Sequence, residues 1–363
     1  MGRAITSRII MKGSLLCETA VHVGNGGESA RTDLPLAVDG QGRLYVPGTS
    51  LAGPLRNWTA SRAGKRAEAL WGYQKPSVRP GDPASGYASF VYLADGLVTL
   101  PKGATEEVRD GVGINREYGV AADGIKFDRA VLPKGSLIEL ELMVELPAPA
   151  TKAGLEFPDR DEAELMLADL VQALEKGRIK CGGGKGRGLG RVVLKDKKVL
   201  IQDFSSLDGI LDAAACAGLD YHLPDQGERA SDFAASPVLK ITIDWQPEGP
   251  LMVKAGRSGL GIDTLPLVGG SGEDVALLLP GSSIKGALRS HAERVIRTLL
   301  AQYRGVDNDF GLSHDLPLVR DLFGRPGNAG LLLVDDCFSG EAWDRSTWDT
   351  VEGAAGEKTV REA

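Results

Sequence analysis

No apolar run in this chain approaches the ~18 residues that a membrane span requires, so a helical membrane protein is not expected. Cysteine is scarce and scattered: Cys17, Cys181, Cys216 and Cys337 form no CxxC and have no nearby histidine pair. A zinc site built from local motifs is therefore not expected, and a reducing, cytoplasmic setting is. Positive charge is not in excess either. The formal net charge of −7 argues against a basic coat for unspecific DNA binding, although a local basic groove is compatible with that average. No GxSxG elbow, HExxH helix, GKS or GKT occurs, which removes the common hydrolase, metalloprotease and P-loop signatures. What the chain has is glycine, 48 of 363 residues or about 13%, where about 7% is ordinary. These glycines follow no three-residue period, which excludes a collagen-like helix and leaves turns and close backbone approaches. Charged residues at 25% and hydrophobic residues at 42% support a packed fold, and the length favours two or three domains.

The chain repeats itself. Residues 44–58 read LYVPGTSLAGPLRNW and residues 277–291 read LLLPGSSIKGALRSH. Pro47, Gly48, Ser50, Gly53, Leu55 and Arg56 recur as Pro280, Gly281, Ser283, Gly286, Leu288 and Arg289 at a constant offset of 233. Upstream of each lies a glycine-broken stretch ending in Leu-Pro-Leu, and downstream LWG at 70–72 answers LFG at 322–324. Two copies of one domain follow, divided here as 1–235 and 236–363.

Each copy opens with an apolar strand, Ile9–Leu16 in the first and Val238–Trp245 in the second, followed by a glycine loop and a short strand into a helix. Thr49 or Ser50, and Ser282 or Ser283, stand where an N-cap belongs. Ile284, Leu288, Val295 and Leu299 mark one face of the second helix. The first copy continues through a hairpin-like region into the alternating strand AVLPKGSLIELELMVEL, a helix over Asp161–Glu175 and the glycine loop at 181–194. This order predicts an α+β fold, an antiparallel sheet with helices on one face. The second copy lacks counterparts of 114–142 and 181–194, so either the chain is the front part of a longer protein or the second domain is degenerate, and the first is the expectation.

Four features carry chemistry. The loop KCGGGKGRGLGR sets Lys180, Lys185, Arg187 and Arg191 among glycines including Gly183 and Gly184. Its bare amides and flanking cations suit phosphate oxygens, while a mobile surface turn is the plainer alternative. Arg56, Lys285 and Arg289 lie just beyond a helix N-terminus, itself an anion site, or else form ordinary solvated surface. Asp33 stands before Pro35, and Asp263 before Pro266 one residue out of register. Each reads either as a turn former or as an acid that holds a divalent metal or positions a hydroxyl. His22 adjoins Gly24 and suits a phosphate contact or a structural role; the other histidines read as structural or surface residues.

On VHVGNGG, the DLPL stretch with Asp33, YVPGTSLAGPLR, LLLPGSSIKGALR, INREYG…FDRAVLPKGS and the glycine-rich loop, the sequence resembles the RAMP superfamily of CRISPR-associated proteins. It is most similar to the backbone subunits of type III effector complexes, here as a tandem fusion. The resemblance implies modified ferredoxin-like (RRM-like) domains that bind guide (CRISPR) RNA on the sheet by backbone contacts and stacking. It implies a β-hairpin thumb within 97–130 that wedges between guide and target. It also implies an endoribonuclease that cuts target RNA with Mg²⁺ or Mn²⁺, Asp33 being the acid and metal ligand and Asp263 a second candidate. His22, Arg56, Lys180, Gly183, Gly184, Lys185, Arg187, Lys285 and Arg289 are then the RNA-binding set. The implied partners are guide RNA, target RNA, other RAMP-family subunits and the large polymerase-like subunit, with no membrane. A non-catalytic guide-binding subunit and a guide-precursor processing nuclease acting through His22 remain alternatives.

Overall fold

The computed structural model describes residues 5–27, 32–74, 86–115, 120–147, 160–224, 238–255, 264–271, 274–304, 316–325 and 327–352. The first module runs β1 (Ile5–Cys17), β2 (Tyr45–Val46), α1 (Gly48–Ala63), α2 (Arg66–Trp71), β3 (Tyr73–Gln74), β4 (Gly86–Tyr87), β5 (Val91–Leu93) and β6 (Gly96–Thr99). It continues with β7 (Glu107–Asn115), β8 (Val120–Val131), β9 (Leu137–Pro147), α3 (Arg160–Glu175), β10 (Val192–Asp203), α4 (Leu207–Ala214) and β11 (Leu219–Asp220). The main sheet has the order β11-β10-β1-β9-β6-β2, with β5 also on β9, and its pairings are antiparallel.

β9 shows why the sheet is covered on one side. Ile138, Leu140, Leu142, Val144 and Leu146 alternate with Glu139, Glu141 and Glu145, and the apolar set is buried. Leu51 and Leu55 of α1 and Met166, Leu167 and Leu170 of α3 close over it, each such side chain contributing about 1.5–3 kcal/mol of burial. On the other face Arg8 stands opposite Glu145 and Lys12 opposite Glu141, in ion pairs of 3.0 and 3.2 Å. Charge on that face is thus matched strand to strand. The helix expected over Asp161–Glu175 is α3, and the hairpin expected within 97–130 is β7–β8.

The second module comprises β12 (Val268–Ser271), β13 (Asp274–Leu279), α5 (Gly281–Arg304), α6 (Pro317–Phe323), β14 (Gly324–Arg325), β15 (Asn328–Ala329), β16 (Cys337–Asp344) and α7 (Arg345–Glu352). β12, β13 and β16 form a three-stranded antiparallel sheet. Two expectations fail here. Residues 238–245 form no strand: Ile241 and Ile243 are 70% and 72% exposed. In the first module β1 is held between β9 and β10, and the second module has no equivalent of either among the described residues. The face of α5 marked by Leu288, Val295 and Leu299 is exposed as well. The neighbouring face, with Ala292, Ile296 and Leu300, packs on Leu316, Val319 and Phe323 instead.

Candidate nucleic-acid interface

The glycine loop is a folded turn. Lys180 pairs with Arg191 across its mouth, Cys181 N–H donates to Gly190 O at 2.8 Å, and Gly190 N–H donates to Ala20 O at 2.8 Å. Gly183 N–H donates to His22 O at 2.8 Å and Arg187 N–H to Gly184 O at 2.8 Å. A Cβ on Gly182 would run into the carbonyl of His22, and one on Gly190 into that of Cys181; both have positive φ, 77° and 95°. These glycines therefore serve the loop's own closure, and the Gly183 amide expected to face a phosphate is already taken. Burial pushes the Cys181 thiol up to about 11 and Cys17 up to about 12, so both stay protonated anchors.

The cations of the loop separate into two groups. Lys180 is tied to Asp335 Oδ1 at 2.8 Å and Arg191 to Glu18 at 2.8 Å. Lys185 and Arg187 are exposed and have no carboxylate partner among the described residues. The turn at 185–187 abuts the start of α5: a Cβ on Gly281 would lie 3.0 Å from the Arg187 carbonyl carbon, and Lys285 Nζ stands 3.4 Å from the Cβ position of Gly186. Lys285 Nζ donates to Leu332 O at 2.7 Å. Burial, then the charges of Arg187 and Arg289, lower its pKa. Loop cations of the first module and Lys285 of the second thus crowd one seam.

The duplicated motif proves to be a bracket for the fold. Gly48 N–H donates to Asp95 Oδ1 at 2.7 Å, and Gly281 N–H to Asp336 Oδ1 at 2.9 Å. The helix starts are therefore capped by remote aspartates. Pro47 is the N-cap residue of α1, and Thr49 and Ser50 lie inside its first turn. The positive end of each dipole already faces a carboxylate, which corrects the expectation of a vacant anion site there. A Cβ at Gly48 would run into Leu93 O and one at Gly281 into Val334 O. Arg56 donates to Gly72 O at 2.9 Å, and Arg289 donates to Gly324 O at 2.9 Å and pairs with Glu293 at 3.0 Å. The repeated arginine thus clamps the glycine of LWG or LFG. Asp336 carries a further partner: its Oδ2 pairs with Arg109 of β7 at 2.7 Å, and Glu107, its carboxyl raised by burial, holds the same guanidinium at 3.2 Å.

Asp33 is exposed and locked to the base of the hairpin. Its N–H donates to Asp128 Oδ1 at 2.7 Å, and Asp128 N–H donates to Asp33 Oδ2 at 2.9 Å. Leu34 pairs in parallel with Arg129. Among the described residues no three metal-ligating side chains cluster. The two carboxylates still fit a Mg²⁺ or Mn²⁺ of the kind held by one or two protein carboxylates, the rest of the shell being water and phosphate. His22 is buried, its Nδ1 2.7 Å from Ala130 O. Burial and the Arg129 charge lower its pKa against the raising effect of that carbonyl, so neutral His22 donates from Nδ1 and keeps a lone pair on Nε2. Asp263 lies outside the described residues.

Of the residues singled out from sequence, His22, Gly183, Gly184, Lys185, Arg187 and Lys285 gather around the seam. Lys180 is beside it in an ion pair, and Arg56 belongs to the bracket on α1. Asp95, Asp128, Arg129 and Asp336 were missed. Arg129 and Asp128 lie in the quoted FDRAVLPKGS stretch, where a charged pair just before an apolar strand was the available signal.

The sequence model of the RAMP superfamily matches residues 14–193 and, separately, residues 264–347, together well over half of the chain. No curated protein matches it.

Proposed function

The chain belongs to the RAMP superfamily, and from that footing we propose that it is a guide-RNA-binding backbone subunit of a type III CRISPR effector complex whose first module cleaves RNA paired to the guide. The observation that carries this reading is the seam itself. In a chain of net charge −7, Lys185 and Arg187 stand exposed without carboxylate partners among the described residues, Lys285 sits among like charges, and Asp128, bound to Asp33, precedes Arg129, whose Nη1 reaches the Gly184 position of the loop. Unbalanced cations of this kind suit a polyanionic strand.

The chemistry asked of the protein is mainly positional. The 2′-oxygen of one ribose attacks the adjacent phosphorus and the P–O5′ bond breaks, leaving a 2′,3′-cyclic phosphate and a 5′-hydroxyl. The proton lost by the 2′-hydroxyl is balanced by one gained at the 5′-oxygen. Cations at the seam hold the flanking phosphates, and the β7–β8 hairpin sets the strand's path, so that attack is in line. Asp33 and Asp128 would hold the divalent ion, which supplies positive charge to the developing phosphorane. The implied partners are guide RNA, target RNA, other RAMP-family subunits and the large polymerase-like subunit. Among the described residues no helix is long and apolar enough to cross a membrane.

Asp33→Ala in a complex assembled with guide and end-labelled complementary RNA tests this directly. Cleavage falls by roughly 10²–10⁴-fold with guide affinity unchanged. An unaltered product pattern overturns the role of Asp33, and if Asp33→Ala with Asp263→Ala also leaves it unaltered, a non-catalytic guide-binding subunit remains. The neutral His22, with Nε2 able to accept a proton, favours one second reading, a nuclease that matures the guide precursor. That reading requires precursor cleavage without divalent metal, abolished in His22→Ala.

A further inference from the structure

The partly buried arginines of the first module come with carboxylates: Arg8 with Glu145, Arg62 with Asp169, Arg109 with Asp336 and Arg191 with Glu18. Arg129 does not. It is half-buried and makes no ion pair among the described residues. Its guanidinium lies over the Phe127 ring, Cζ 5.5 Å from the centroid, and Nη1 stands 3.3 Å from the Cβ position of Gly184. The groups that face it are cationic or neutral. Arg187 presses on it electrostatically from the glycine loop, and His22 feels its charge from the other side. Through the backbone it pairs with Leu34, one residue from Asp33. A cation withdrawn from water and left uncompensated by the protein is costly unless something outside the fold supplies the opposite charge.

We propose that Arg129 is a phosphate-binding residue, which together with Arg187 grips one phosphodiester of the RNA strand that passes Asp33. This rests on the RNA-binding reading above and adds the contact that reading lacked. Asp128 precedes Arg129 on β8 and is bound to Asp33, so the carboxylates and the guanidinium share one stretch of strand, their side chains leaving it on opposite faces. Glycine at 184 leaves the guanidinium its room.

The test measures the affinity of the full chain for single-stranded RNA across a salt series, with Arg129→Gln, Arg129→Lys, Arg187→Gln and the double variant Arg129→Gln/Arg187→Gln. Lys65→Gln, at an exposed position before α2, is the control. Each lost phosphate contact makes the plot of log affinity against log salt shallower by about 0.7. Arg129→Gln is expected to lose that amount, Arg129→Lys to keep the wild-type slope, and Lys65→Gln to change nothing. Because the proposed site holds its phosphate only when both arginines are present, the double variant loses no more than the larger single loss. Should Arg129→Gln fail to fold, Arg129→Met, which keeps the stem over Phe127, replaces it. A wild-type slope in the neutral variant overturns the proposal, as does an Arg129→Lys slope as shallow as that of the neutral variant, or additive losses in the double variant. If the wild-type chain binds no RNA, the wider RNA-binding reading falls and this one with it. Binding retained with an unchanged slope sinks this contact alone.

Discussion

The two modules share a motif and differ in what surrounds it. In the first, Leu55 of α1 is 1% exposed beneath a sheet; in the second, its counterpart Leu288 of α5 is 47% exposed. Ile9 and Met11 lie in the centre of the first module's sheet, whereas the apolar run at 238–245 has no strand partner among the described residues. Yet the bracket of aspartate on glycine N–H and arginine on glycine carbonyl is built the same way in both. The local geometry of the motif therefore does not depend on the core. Its elements are fixed by short-range hydrogen bonds and close backbone approaches, while the core requires strands brought from far along the chain.

That contrast can be broken by measurement. The largest difference is expected between the two capping aspartates. Asp336 is buried and also neutralises Arg109, so Asp336→Ala removes one of the two carboxylates on a buried guanidinium as well as the cap and costs up to about 3–5 kcal/mol. Asp95 is exposed and only caps, so Asp95→Ala costs about 1 kcal/mol. Equal losses in urea unfolding would show that Asp336 carries no added duty. Next, Met11→Ala, at a fully buried site, is expected to cost about 2–5 kcal/mol, and Ile243→Ala about 0.5 kcal/mol or less. A large loss at Ile243 would mean that 238–245 is packed in solution. Smallest is the arginine clamp. Arg56→Met removes one hydrogen bond to a glycine carbonyl and is expected to cost about 0.5–1.5 kcal/mol, and Arg289→Met, which also removes the pair with Glu293, slightly more. Loss of RNA affinity without loss of stability in either variant would return that arginine to the nucleic-acid surface.

Much of the architecture was legible because it is periodic. The alternation of β9 announces a one-sided sheet, and the 233-residue offset announces the duplication. The repeat was harder to interpret than to find. A residue recurs in two copies whether it binds a ligand or holds the fold, and Arg56 and Arg289 recur for the second reason as far as their hydrogen bonds go. Asp95 and Asp336 were invisible because they do not share the constant offset; an inserted stretch separates them from the motif they cap. Arg129 was passed over because an arginine at the start of an apolar strand looks like an ordinary surface residue. Only its neighbours reveal that no acid among the described residues answers it. The exposure of 238–245 could not be foreseen, since an apolar alternating run reads as a buried strand whether or not its partners are at hand.

Asp336 has one oxygen on the first amide of α5 and the other on an arginine at the root of the β7–β8 hairpin. The long arm of one module and the leading helix of its twin are thus hinged on a single carboxyl group. A force that levers the arm sideways therefore reaches, through that pin, the helix that carries Lys285 to the seam.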